Sequence, residues 1–253
     1  MIDETIITEA IVKEWTSKFL DGLRCDVAVV GGGPSGLTAS YYLAKKDFKV
    51  CLIEKNLSLG GGIWGGGMFF NKVVVQEEAL SILDDLKISY KRFDERHYVI
   101  DSIELAGSLI YNISKAGVLV FNSMIVEDLM VKDERVCGLV INWTSSVLSD
   151  MHVDPLVLYA RAVVDATGHE AVVCRILERK TGKIKIRGEG FMYAEMGERG
   201  VVEKACEIFP GLYVTGMAVA NVFGLPRMGP IFGGMLLSGK RIAEIISEDL
   251  KER

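Results

Sequence analysis

The sequence predicts a mixed α/β fold, and three observations carry that expectation. A short apolar run, Cys25 to Val30, ends in the glycine turn Gly31-Gly32-Gly33-Pro34-Ser35-Gly36. Ser35 to Lys46 then has helical character and Lys49 to Glu54 is apolar again, the strand, helix, strand order from which parallel sheets are wound. Further on, Arg161 to Thr167 and Leu212 to Thr215 are buried-strand runs stopping at Gly168-His169 and Gly216-Met217. They deliver those residues to the carboxyl edge of the sheet, where open α/β folds place ligands.

The remaining elements follow in order. Residues 3 to 20 carry Ile6, Ile7, Ala10, Ile11, Trp15, Phe19 and Leu20 at roughly helical spacing, an amphipathic helix expected to pack on the domain or on another subunit. Gly60 to Gly67 is expected to be an irregular loop of close approach. Helices are expected near 76 to 86 and 102 to 116. Two runs, Met124 onward and Val136 to Asn142, flank Lys132 to Arg135 and suggest an antiparallel hairpin inserted into the parallel arrangement. Residues 144 to 155 read as a mobile polar loop, and a final helix is expected from Gly229 to Leu250. The whole is expected to be one Rossmann-like dinucleotide-binding domain of the glutathione-reductase type, spanning 1 to 253.

Composition narrows the function classes. A net charge of -5 with Lys and Arg dispersed leaves no footprint for nucleic acid or an anionic membrane. No apolar stretch approaches the roughly 20 residues of a membrane span. Five scattered cysteines without a Cys-x-x-Cys, and a start lacking a basic then apolar segment, give the expectation of a reduced, cytoplasmic protein.

The glycine turn is informative because of its surroundings. Gly31, Gly33 and Gly36 lie between strand and helix, and Glu54 closes the next strand 18 positions after Gly36. Glycines let backbone approach a pyrophosphate, the helix start at Ser35 and Gly36 offers free N–H groups, and Glu54 can accept from ribose hydroxyls. These residues suit NAD or FAD equally. Flavoproteins of the glutathione-reductase type often end a late strand in Gly-Asp, whereas this chain has Gly216-Met217, which weighs against flavin.

Taken together, Gly31 to Gly36, Glu54-Lys55 with Gly60 to Gly67, His152-Val153-Asp154-Pro155, Thr167-Gly168-His169 and Arg227-Met228-Gly229-Pro230 span nearly the whole chain. With these motifs the chain resembles the thiamine thiazole synthase family, more closely its archaeal sulfide-dependent branch. The resemblance implies that NAD is a substrate. Nicotinamide is expelled, the ADP-ribose is opened and isomerised, glycine condenses, and sulfur closes an adenylated thiazole carboxylate. Eukaryotic members donate sulfur from a cysteine in Cys-x-Asp-Pro; His152 stands there in this sequence, which implies free sulfide, iron(II) and multiple turnovers.

By the same resemblance Asp154 and His169 are iron ligands from neighbouring subunits of a homo-octamer, and Arg227 holds the glycine carboxylate. Ser35, Lys55, Gly62, Val126 and Met217 line the nucleotide, and His152 either contacts the nucleotide of the adjoining subunit or fills vacated space. His97, in a polar run, reads as a surface residue. An FAD-dependent oxidoreductase, a ribose-1,5-bisphosphate isomerase and a non-catalytic nucleotide-binding module remain as alternatives.

Overall fold

The computed structural model describes residues 2–252. Helix α1 (Glu4–Gly22) begins at Asp3, whose carboxylate caps Thr5 and Ile6, and leads into β1 (Arg24–Val30). Then come α2 (Pro34–Ala44), β2 (Val50–Glu54), β3 (Lys72–Gln76), α3 (Leu80–Asp85), β4 (Lys91–Arg92), β5 (His97–Asp101), α4 (Ser102–Lys115) and β6 (Leu119–Asn122). The chain continues through β7 (Met124–Lys132), β8 (Arg135–Trp143), α5 (Thr144–Leu148), β9 (Leu156–Asp165) and α6 (Val172–Thr181). Helix α7 (Ala194–Glu203), β10 (Cys206–Phe209), β11 (Leu212–Val214), α8 (Met217–Phe223) and α9 (Gly233–Glu252) complete it.

Five strands run parallel in the order β11-β9-β1-β2-β6, with β10 antiparallel on the outer edge of β11. Strand β8 pairs antiparallel with β9, and β7 with β8 through the two-residue turn Asp133-Glu134. Both turn residues have positive φ, which matches the twist of a tight hairpin. A separate antiparallel sheet has the order β3-β5-β4. The central strands are buried throughout, Val27 to Val30 and Val50 to Ile53 among them, because helices cover the sheet. Helix α2 packs on α9 and α4, and α9 on α7. Among the described residues no helix is long and apolar enough to cross a membrane.

Several expectations need correction. The Gly60–Gly67 segment is not wholly irregular: Gly61–Gly65 and Gly67–Phe69 form 3-10 turns, closed by Ile63 N on Gly60 O and Gly66 N on Ile63 O. The helix expected at 76 to 86 is a 3-10 turn followed by α3, because Gln76 ends β3. The polar segment after Trp143 opens with α5, held where Thr144 donates to Ser123 O and Lys55 O. The last helix starts at Gly233, after Ile231 and Phe232 pair with Val74 at the edge of β3. Helix α1 is docked only near its end: Phe19 meets Phe121 edge-on and Trp15 packs against Trp143, while Ile6, Ile7, Ile11 and Leu20 are exposed.

Candidate functional site

A cavity of about 670 Å³ opens where β1, β2 and β9 end and β7, α2 and α8 begin. Its floor is the glycine turn. Gly31 has φ +100°, and a Cβ there would lie 2.4 Å from Ala166 O, so the turn leaving β9 passes too close for any other residue. A Cβ on Gly36 would fall 1.9 Å from Gly31 O, so the turn can close only on glycine. Gly33 and Gly62 differ: both line the cavity and nothing lies within 4 Å of their missing Cβ positions. That free space beside bare backbone is a cradle for a ligand such as a pyrophosphate.

Glu54 is buried at the edge of the cavity, with Oε2 accepting from Gly32 N at 2.7 Å and Oε1 from Asn56 N at 2.8 Å. Each oxygen keeps acceptor capacity for a ribose hydroxyl. Ser35, Lys55, Val126 and Met217 also line the cavity, and Lys55 reaches Glu170 at 3.1 Å across its mouth.

The turn after β9 is organised by Asp165, a fully buried carboxylate that accepts from Thr167 N, Thr167 Oγ1 and Cys174 N. It therefore fixes the turn carrying Gly168 and His169 and the start of α6. His169 lines the cavity with its Nδ1 2.6 Å from Glu189 Oε1, and its carbonyl accepts from Asn221 Nδ2. Arg227 lines the cavity too and lies 3.6 Å from Glu189 Oε2. Residues 187–193 run alongside 221–227, with Arg227 N on Phe191 O and Tyr193 N on Arg227 O, which brings Glu189 beside Arg227.

His152 and Asp154 do not line this cavity; both are exposed, just ahead of β9. His169 lies beyond the opposite end of that strand, whose ten residues would span about 30 Å if straight. Within one chain the strand holds the two expected ligands apart. Among the described residues there is no cluster of three or more His, Cys, Asp or Glu that could hold a metal ion. His97 is exposed and paired with Asp94, whose carboxyl is held below its usual range by the Arg96 N–H and the His97 ring. All five thiols are free, and among the described residues no cysteine lines the cavity. Burial, reinforced by Asp165, pushes the Cys174 thiol well up.

Sequence reasoning missed Asp165 and Glu189. Each left a trace: an acid inside the apolar run Val163-Val164-Asp165-Ala166, and an acid between two glycines, Gly188-Glu189-Gly190.

A glycine turn between parallel strand and helix, opening on a cavity at the strand ends, defines a Rossmann-type α/β protein. A geranylgeranyl bacteriochlorophyll reductase-like protein from Thermoplasma acidophilum shares the fold, with a TM-score of 0.61 at 16% identity over 90% of this chain and 79% of that one. The chain belongs to the Thi4 family, whose sequence model matches residues 8–232. It is 54% identical over 250 residues to the thiamine thiazole synthase of Pyrococcus abyssi, covering 99% of both chains. It is 50% identical over 256 residues to that of Methanothermobacter thermautotrophicus, again covering 99% of both. The crystal structure of Thermovibrio ammonificans THI4 superposes with a TM-score of 0.96 at 48% identity, covering 99% of both chains.

Proposed function

We propose that this chain is an enzyme of thiamine thiazole biosynthesis. It makes adenosine diphosphate thiazole carboxylate from NAD, glycine and sulfide, with iron(II) as cofactor, and releases nicotinamide. The fold is then a glutathione-reductase-type nucleotide unit whose β7–β8 hairpin is an insertion. The observation that carries the reading is that the glycine cradle, Glu54, His169 and Arg227 all face one cavity.

In this reading the backbone at Gly33 and Gly62 receives the pyrophosphate and Glu54 takes the adenosine ribose hydroxyls. Ser35, Lys55, Val126 and Met217 enclose the nucleotide, which fixes its reacting ribose over His169. Arg227 offers a planar, charged donor set suited to the glycine carboxylate. His152 has no sulfur to give and the thiols lie elsewhere, which supports an external sulfide. His169 with Asp154 from a second copy would hold iron(II), a nitrogen and oxygen pair suited to that ion. When bound, the metal supplies a Lewis acid for the carbonyl and a carrier for sulfide.

Supply of Asp154 by a second copy requires an oligomer, proposed as an octamer. The exposed apolar face of α1, together with Phe69, Phe70, Phe191 and Met192, offers surface for such contacts. Asp154→Ala and His169→Ala proteins should each be inactive when assayed anaerobically with NAD, glycine, sulfide and iron(II). Unfolded and reassembled together in equal amounts they should recover about a quarter of wild-type turnover, since sites pairing two intact residues re-form at that frequency. Wild-type protein that yields no nicotinamide or thiazole would overturn the reaction assignment, and hybrids without activity would overturn the shared site.

A further inference from the structure

One carboxylate touches both groups to which the proposed reaction gives chemistry. Glu189 has a largely buried side chain, 14% exposed, and its two oxygens are divided between His169 and Arg227. It reaches them from neither of their elements, but from the segment 187–193 that runs parallel beside 221–227. We propose that Glu189 is the positioning residue of the site, setting the tautomer of His169 and the direction of Arg227 with one carboxylate.

An ionised carboxylate only accepts, so the 2.6 Å contact places the proton of a neutral His169 ring on Nδ1. Nε2 is left as the lone-pair nitrogen available to a ligand or metal, and the ring cannot turn over without losing the bond. The contact to Arg227 is made at Nε, 3.6 Å away, which leaves the two terminal nitrogens free. Those are the donors that a small carboxylate can engage in pairs. The second anchor of His169, the Asn221 bond to its carbonyl, fixes the backbone and not the ring. Among the described residues, Glu189 therefore has a role at the ring that no other hydrogen bond of His169 duplicates.

The inference takes its substrate from the thiazole synthase reading, but its first test does not depend on that reading. The sequence has three histidines, so magic-angle-spinning 15N spectra of histidine-labelled protein can be assigned with His169→Ala as reference. Above the range where imidazole is protonated, His169 should show the Nδ1–H tautomer in wild type and in Glu189→Gln, whose amide oxygen still accepts. In Glu189→Ala it should move toward Nε2–H. In turnover, Glu189→Ala should raise the glycine KM about tenfold while the KM for NAD stays unchanged. An unaltered His169 tautomer in a folded Glu189→Ala protein would overturn the proposal even if wild type showed no thiazole synthesis. A glycine KM that fell would show Glu189 to be screening Arg227 and would overturn its role in directing that side chain.

Discussion

The glycine cradle and the reactive side chains occupy one cavity but are built in opposite ways. Around Gly31, Gly36 and Glu54 the contacts are backbone to backbone or buried carboxylate to backbone, all within one chain. His169 and Arg227 are more than half exposed along their side chains and rest on Glu189, while Asp154 stands on an exposed segment elsewhere. Under the proposed function, the contrast teaches that holding the nucleotide is a property of the folded chain, whereas the chemistry awaits groups that one chain does not converge. Stability and nucleotide affinity should therefore follow the first region, and turnover the second.

The largest expected effects pull the two regions apart. Gly36→Ala places a methyl 1.9 Å from Gly31 O, so the turn must open and NAD affinity should fall at least ~100-fold, about 2.7 kcal/mol by titration calorimetry. Asp154→Ala should do the reverse. Its exposed carboxylate should leave stability within about 0.5 kcal/mol of wild type and NAD binding intact while turnover disappears. An Asp154→Ala protein that lost NAD affinity as Gly36→Ala does would erase the distinction.

The same contrast explains what was legible in the sequence. The cradle was readable because its chemistry is local: glycines at fixed spacing, then an acid at the end of the next strand. Met217–Phe223 was not assigned as a helix because a seven-residue apolar run has no period long enough to separate helix from buried strand. The sheet β3-β5-β4 was missed because β4 has two exposed residues, Lys91 and Arg92, and takes its strand form from pairing with β5. The bounds of the β9 run were misplaced at both ends. Val157 and Tyr159 face solvent ahead of Arg161, and Asp165 ends the strand by binding the turn that follows. Motif resemblance could name His169 and Arg227, but not Glu189, whose meaning arises only when two distant segments lie side by side.

A smaller effect is expected at Glu54. Glu54→Ala leaves the Gly32 N–H buried without an acceptor and removes that of Asn56 as well. The loss should cost about 1–3 kcal/mol of stability and weaken NAD binding roughly tenfold. Glu54→Gln should fall between, since its amide oxygen can serve one of the two N–H groups and its NH₂ cannot serve the other. Calorimetric melting of the free protein separates the structural part, because that part is present before any nucleotide is added. A variant that melted like wild type and lost only NAD affinity would make Glu54 a ligand group and not a support of the turn.

A further buried carboxylate sits behind the looser region, on the helix that packs against the segment carrying Arg227. Glu198 of α7 accepts through Oε2 from Gln76 Nε2 at 2.7 Å and from Gly234 N, at the start of α9, at 2.6 Å. Its Oε1 is buried without a partner, and burial pushes the carboxyl up to about 7. The folded state thus binds this proton more tightly than the unfolded chain, where the group has an ordinary carboxyl pKa of 4.5. The stabilisation linked to it is complete below that lower value and is lost as the pH rises through about 7, by at most ~3 kcal/mol. Glu198→Gln carries no charge to bury and keeps an oxygen for Gly234 N. Its melting temperature should match wild type in mild acid and exceed it by several degrees at pH values above 7. If the two curves stayed parallel from pH 5 to pH 8, Glu198 would be ionised throughout. The entry to α9 would then be anchored as firmly as the cradle, and the difference between the two regions would be confined to His169, Arg227 and Asp154.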